Sequence, residues 1–306
     1  MKLLVVCSGN KNLINSFISE QVSSLRQLNV SVQYFFIRGK GVFGYLKNMR
    51  ELLKFIKRYD IELIHAHYGL SGLLAAIQRK IPVVITFHGS DINQKSTRHF
   101  SKLASKLSKY NIVVEKSFIG KIKLRKNYSI LPCGVDLSVF KTVSKHEARS
   151  ALNINESEKI ILFSSSFNNP VKNYPLAKEA ADKIPGAKLV ELAGYSREQV
   201  NLLMNAADIL LMTSFNEGSP QVVKEALACN LPVVSTPVGD VPELLKGVNA
   251  CRIVSYNSSE IASAIQQIIS PPTRSDGNIK ITSYDNRVIA KRLIKIYQSV
   301  LIKQNA

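Results

Sequence analysis

The chain has no tryptophan, and its 22 Asp and Glu are outnumbered by 41 Lys and Arg, for a formal charge of +19. Its four cysteines, Cys7, Cys133, Cys229 and Cys251, are too few and too scattered for a disulfide scaffold, and none lies in a CxxC pair. A reduced, cytoplasmic setting is therefore expected. No stretch is apolar and free of charge for the roughly 18 residues that a membrane-spanning helix needs. The opening MKLLVVCSGN has a short apolar run without a cleavage site and reads as a first β-strand, not a signal peptide. The CSGNKN that follows lacks the GxGxxG of dinucleotide oxidoreductases. Without tryptophan, an aromatic stacking motif or a recognisable nucleic-acid module, the basic charge does not indicate a nucleic-acid-binding protein.

The charge is unevenly spread. Residues 1–140 hold 22 Lys/Arg against 7 Asp/Glu, net +15, whereas residues 141–306 hold 19 against 15, net +4. The first half thus faces something anionic: membrane headgroups, nucleic acid or a phosphorylated acceptor.

Short Val/Ile/Leu-rich runs alternate with helix-period stretches throughout. Strands are expected at 3–7, 32–37, 63–67, 83–89, 111–114 and 129–132, with helices near 12–28, 44–59, 70–79 and 96–109 between them. A second series has strands at 160–166, 187–194, 209–214, 232–237 and 250–254. Such alternation implies parallel sheets covered on both faces. The expected architecture is α/β, with two doubly wound Rossmann-like domains facing across a cleft. The boundary falls near 138–155, giving domains of 1–145 and 146–306, and the last helix, about 286–303, crosses back to the first. Ligands of such sheets collect beyond the carboxyl ends of the strands.

The stretch FNEGSPQVVKEALACNLPVVSTP (215–237) carries the chemistry. Ser219 is a good N-cap and Pro220 suits the first helical position, so Gly218 and Ser219 sit at the positive end of a helix, where phosphate binds. Asn230 tolerates the left-handed conformation that ends it. Glu225 lies about 7 Å farther along the axis, far enough to accept both hydroxyls of a ribose attached to a diphosphate. Glu217, in the loop before the helix, faces whatever the diphosphate carries. One glutamate for ribose and one for a sugar, with phosphates between them, describes a nucleotide-sugar.

NAADILLMTSFNEGSPQVVKEALACNLPVVSTPVGDVPELL (205–245) closely resembles the donor-binding signature of retaining glycosyltransferase family 4, of the bacterial surface-polysaccharide type, with its Glu-x7-Glu pair at Glu217 and Glu225. LIHAHYGLSGLLAA (63–76), IPVVITFHGSDIN (81–93), LPCGVDLSVF (131–140) and FNNPVKNYPLA (167–177) resemble further segments of that family in the correct order. The resemblance implies the GT-B fold, with an acceptor-binding first domain and a nucleotide-sugar-binding second. The implied activity is transfer of a hexose from a UDP- or GDP-linked donor to a hydroxyl of a glycan or lipid-linked acceptor in polysaccharide synthesis. It also implies a front-face reaction with no side-chain nucleophile, and no metal or other cofactor. A sugar-nucleotide epimerase or a phosphorylase would share the architecture.

By the same resemblance Glu225 binds the ribose and Glu217 the transferred sugar, while Gly218, Ser219, Gln221 and Val222 offer backbone N–H groups. Lys172 neutralises the leaving diphosphate and His88 lies near the reaction centre. Asp91 either orients His88 or caps the next helix. Gly9 approaches the diphosphate, and Tyr195 and Val200 flank the base. The family often has an arginine five residues before the lysine; here that position is Phe167, leaving the second phosphate charge to Lys172 alone, to N–H groups around Ser166 and Asn168, or to another residue. His65 and His67 form an HxH on one strand face without accompanying Cys or carboxylate ligands, so no metal is expected.

Two stretches are basic and amphipathic. In KSTRHFSKLASKLSKY (95–110) Lys95, Arg98, Lys102, Lys106 and Lys109 form one face, and Phe100, Leu103, Ala104 and Leu107 the other. LKNMRELLKFIKRY (46–59) is similar. They imply peripheral attachment to an anionic membrane surface.

Overall fold

The apolar runs become parallel strands whose alternate residues feed cores on opposite faces of two sheets. The computed structural model describes residues 1–10 and 14–305, and the chain divides into two units. The N-terminal unit comprises Met1–Gly134 with the C-terminal helix Asn286–Asn305. The C-terminal unit is Val135–Asp285.

The N-terminal sheet holds β1 (Lys2–Ser8), β2 (Ser31–Ile37), β3 (Leu63–His67), β4 (Val83–Phe87), β5 (Tyr110–Val113) and β6 (Tyr128–Ile130), in the order β2-β1-β3-β4-β5-β6, all parallel. Leu4, Val6, Ile64 and Ile85 pack on one face, and Leu3, Val5, Leu63 and Val84 on the other. The second face is closed by the helix Ser16–Gln27 and by the C-terminal helix, through Ile289, Leu293 and Tyr297. The C-terminal sheet holds β7 (Lys159–Phe163), β8 (Ala187–Glu191), β9 (Ile209–Met212), β10 (Val233–Ser235) and β11 (Arg252–Ile253), ordered β11-β10-β9-β7-β8 and again parallel. Ile160, Leu162 and Leu210 face one core, and Ile161, Phe163 and Leu211 the other. Both sheets are therefore doubly wound.

The structure refines several expectations. The first helix begins at Ser16, and residues 12 and 13 of the expected span lie outside the described residues. The continuous helix expected over 44–59 is two, Gly41–Leu46 and Met49–Tyr59. Between them Asn48 is buried, with its amide bonded to Arg38 O, Gly44 O and Tyr45 O. The units divide at Gly134/Val135, ahead of 138–155, because Val135 and Phe140 are buried in the C-terminal core. The expected linker instead contains the helix Lys145–Ala151, capped by the Ser144 side chain and anchored by Arg149. Arg149 is fully buried, donates to the carbonyls of Ala206, Asn155, Glu156 and Glu158, and pairs with Asp208.

On the helix Lys95–Leu107 the expected apolar face is corrected. Leu103 is half exposed, whereas Ser101, Ala104 and Ser105 are buried. The helix lies so close to the helix Gly69–Ile77 that a Cβ on Gly69 would stand 2.0 Å from Ser101 Oγ, so only small side chains fit the contact. Arg98 is tied to the carbonyls of Ile92 and Asn93 rather than free on the surface. Among the described residues no helix is long and apolar enough to cross a membrane.

Candidate active site

In the C-terminal unit the strand order reverses around β7, so the loops leaving β7 and β9 part from adjacent strands and leave a crevice between them. The first loop ends in a 3-10 turn, Pro170–Lys172, in which the Asn169 side chain accepts from Val171 N. The Thr213 hydroxyl donates to Lys172 O and Asn173 O, and Phe215 N donates to Val171 O. These bonds fasten the turn to the exit of β9. They set Lys172 Nζ 2.7 Å from Glu217 Oε1, with both side chains mostly buried. Lys172 and Glu217, 45 residues apart, thus meet at one point.

The helix after Glu217 is Gln221–Ala228, not a helix begun at Pro220. Pro220 is its N-cap at ψ 123, and the Ser219 hydroxyl caps nothing. Pro220 is itself extended and takes the N-cap position, so the helix starts one residue later and Ser219 falls outside it. Asn230 does end the helix at φ 52. Gly218 is braced from behind: its carbonyl accepts from Asp240 N, and a Cβ on Gly239 would lie 2.2 Å from that oxygen.

Glu225 is 4% exposed in this helix, and its nearest charge is Arg197, with Nη2 2.7 Å from Oε1 but out of line for a directed hydrogen bond. Burial pushes the Glu225 carboxyl up, and Arg197 pulls it back. Arg197 also stacks over Phe140 at 4.4 Å. Sequence reasoning passed over Arg197 although a signal was present. The capping box of Ser196 and Gln199 fixes it as the first residue of the helix Arg197–Ala206. Tyr195, before that helix, is exposed, and Val200 packs against the core.

Among the described residues the buried hydroxyls of Ser164 and Ser214, just beyond β7 and β9, have no hydrogen-bond partner, like that of Ser219. Buried polar groups are rarely left so unless a ligand or water completes them. Ser166 O accepts from Asn169 N. Phe167 packs on Tyr174 and Phe163, its N–H donating to Glu191, while Asn168 N donates to Ser166 Oγ. The N–H groups of Phe167 and Asn168 are thus engaged within the protein. A cavity of about 350 Å³ in the same unit lies at the opposite, amino end of the strands, where Lys145 pairs with Asp208 and Arg274 donates to Ala207 and Cys229 carbonyls.

In the N-terminal unit the strand order reverses at β1. A cavity of about 360 Å³ is lined there by Cys7, Ser8, Asn10, Asn15, Ile18, Tyr68 and Ser90. Tyr68 holds φ 70, a conformation rare for a tyrosine. Gly9 is required by the fold itself: its N–H donates to Ile37 O, and a Cβ would meet Phe36 Cβ at 2.8 Å. His88, one residue past β4, packs against Phe17 and Tyr68. The Asp91 carboxylate is bonded to backbone, including the His88 N–H. It accepts from the N–H groups of Gly69, His88 and Gly89, fixing two loops at once, and burial pushes its carboxyl up to about 6. Among the described residues no cluster of three or more His, Cys, Asp or Glu is arranged to hold a metal ion.

The family model described as Glycosyltransferase Family 4 matches residues 6–139, and that described as Glycosyl transferases group 1 matches residues 169–271. The chain belongs to the family 4 glycosyltransferases. TuaC of Bacillus subtilis, a glycosyltransferase assigned to teichuronic acid biosynthesis, is 29% identical to this glycosyltransferase over 290 residues, covering 81% of this chain and 74% of TuaC. The fold is GT-B. Sucrose-phosphate synthase from Thermosynechococcus elongatus superposes at a TM-score of 0.88 with 16% identity, covering 99% of this chain and 100% of that one. HepE from Anabaena, crystallised with UDP, superposes at 0.78 with 18% identity, covering 98% and 100%.

Proposed function

We propose that this glycosyltransferase moves a sugar, with retention, from a UDP- or GDP-linked donor to a hydroxyl of a glycan or lipid-linked acceptor in surface polysaccharide synthesis. The observation that carries the reading is the meeting of Lys172 with Glu217 beside the start of the helix that bears Glu225. Lys172 sits where a leaving diphosphate gathers negative charge, and fixed charge at such a point is usually the largest catalytic contribution. The first N–H groups of the helix, which have no partner within it, extend that positive end. Glu225 Oε1 accepts from a ribose hydroxyl, and Arg197 supplies the second cation that Phe167 cannot. Glu217 accepts from hydroxyls of the transferred sugar. In the step itself the bond from the anomeric carbon to the diphosphate oxygen breaks. The acceptor oxygen bonds the same face of that carbon, and its proton passes to the departing phosphate. Lys172 and the helix start provide the positive charge, so the reading calls for no divalent cation.

Two similarities agree with this. HepE has been crystallised with UDP-glucose as well as UDP, and TuaC carries a name from polysaccharide synthesis. A peripheral place at the inner face of an anionic membrane fits the +15 charge of residues 1–140. It also fits the short helix Gly41–Leu46, where Phe43 is 83% exposed and Lys40 and Lys47 flank the ends.

The test is a thermal-shift titration with UDP, GDP, ADP and CMP on the wild type and on Glu225→Ala. Stabilisation by one nucleoside diphosphate, lost in the variant, is expected and names the base. A response that survives Glu225→Ala, or none to any nucleotide, refutes the donor site as drawn. Lys172→Ala is expected to lower turnover by about 10²–10³, and unchanged turnover would remove it from the chemistry.

A further inference from the structure

Of the five histidines, three meet in the N-terminal unit. His65 has both ring nitrogens engaged, Nε2 with the Thr86 hydroxyl and Nδ1 with the Tyr297 hydroxyl, each at 2.7 Å. The ring of His67 stacks between those of His65 and His88. Its Nδ1 lies 2.9 Å from His88 Nε2, while its own Nε2 is buried without a partner. On the far side of His88, Nδ1 lies 3.6 Å from Cys133 Sγ.

We propose that His67 is a positioning residue that fixes the proton of His88 on Nδ1, so that a ligand oxygen taking the place of Cys133 Sγ there meets a hydrogen-bond donor and not a base. This rests on the reading of His88 as a site residue. Two proton arrangements satisfy the His67–His88 bond. In the first, His67 Nδ1–H donates to His88 Nε2, and His88 Nδ1–H points to Cys133 Sγ; the buried His67 Nε2 then carries only a lone pair. In the second, Cys133 S–H donates to His88 Nδ1, and His88 Nε2–H donates to His67 Nδ1. That leaves His67 an N–H at Nε2, sealed from water and bonded to nothing. Unpaired buried N–H groups are rarer than unpaired acceptors, and the penalty favours the first arrangement by about tenfold or more. Burial also lowers the His67 pKa to about 3, so the ring stays neutral and has one proton to place. The two imidazoles and the thiol thus act as a row with one preferred direction. His65, saturated by Thr86 and Tyr297, gives His67 Nε2 nothing to bond. A histidine poised this way cannot take up a proton through Nδ1.

The test is two-bond ¹⁵N–¹H spectroscopy of the full chain labelled with ¹⁵N-histidine at pH 7.5, assigned by single His→Gln replacements. The expected result is His88 protonated on Nδ1 and bare on Nε2, with His67 protonated on Nδ1. A His88 carrying its proton on Nε2, or on both nitrogens, overturns the proposal. His67→Asn keeps an N–H near the Nδ1 position and is expected to preserve the His88 tautomer. His67→Leu removes the donor and is expected to move His88 toward the Nε2–H form; should it not fold, the wild-type and Asn spectra decide. Cys133→Ala should leave the tautomer unchanged, and a flip there would make the cysteine the determinant and refute the role of His67. None of these spectra requires substrate. A chain that fails as a transferase can still show the tautomer, and one that shows the wrong tautomer can still be active.

Discussion

Acidification should weaken the N-terminal unit through its buried histidines, by an amount that a single variant isolates. Burial lowers the pKa of His67 from an ordinary 6.5 to about 3 and that of His65 well below 6.5. Between those limits the unfolded chain holds a proton that the folded chain refuses, so stability falls as pH drops through the window. Asp91 works in the opposite sense. Its folded pKa, about 6, lies above the ordinary 3.8, so the folded chain holds the extra proton and gains stability as pH falls through that range. Comparing the wild type with His67→Asn cancels Asp91 and the part of the His65 shift that burial causes, while the part that His67 itself causes does not cancel. The folded pKa lies below the entire interval, so His67 alone contributes about 2.6 kcal/mol between pH 7.5 and 4.5, at about 1.36 kcal/mol per unit. Urea unfolding at both pH values, followed by circular dichroism because the chain has no tryptophan, should therefore show the wild type losing about 2.6 kcal/mol more than the variant over that interval. Equal losses, or a larger loss in the variant, would mean that His67 is protonated in the folded chain and would refute the reasoning.

Three further predictions concern other parts of the molecule. Arg149→Met deletes the buried guanidinium that serves four carbonyls and Asp208. It should cost the C-terminal unit about 3–5 kcal/mol, read as a large drop in its melting temperature; a small drop would show that the carbonyls find other partners. Gly239→Ala combines φ +54 with a contact of 2.2 Å to Gly218 O. It should displace the Gly218 loop and raise the donor KM, with little loss of secondary structure; an unchanged KM would mean that the loop is not read by the donor. Phe43→Ser should weaken cosedimentation with anionic vesicles several-fold and leave activity on a water-soluble acceptor unchanged. Binding indifferent to lipid charge or to this residue would refute the membrane reading.

How far the residues alone lead differs from element to element. The strand LIHAH occupies Leu63–His67 as read, and the left-handed Asn230 and the presence of the last helix also follow from local pattern. The break at Asn48 was hidden, because an asparagine within an apolar period announces a turn only once Arg38 and Gly44 are near enough to bond it. Ser219 misled for the opposite reason: as a cap it is a good residue, but Pro220 is itself extended and takes the cap position in its place. Leu103 was misassigned because small residues at Gly69 and Ser101 decide which face of a helix is buried when two helices come close.

Periodicity and residue type, which act within a few positions, therefore determined the two parallel α/β sheets and the punctuation of most elements; residue type and spacing nominated Glu217 and Glu225, and the family resemblance Lys172. Tertiary structure decided what depends on groups distant in sequence. It set Lys172 against Glu217 across 45 residues and Arg197 against Glu225 across 28. It made the HxH motif part of a buried row that ends at His88 and Cys133. Those pairings depend on which strands lie side by side, and strand order is a property of the folded sheet that no local pattern encodes.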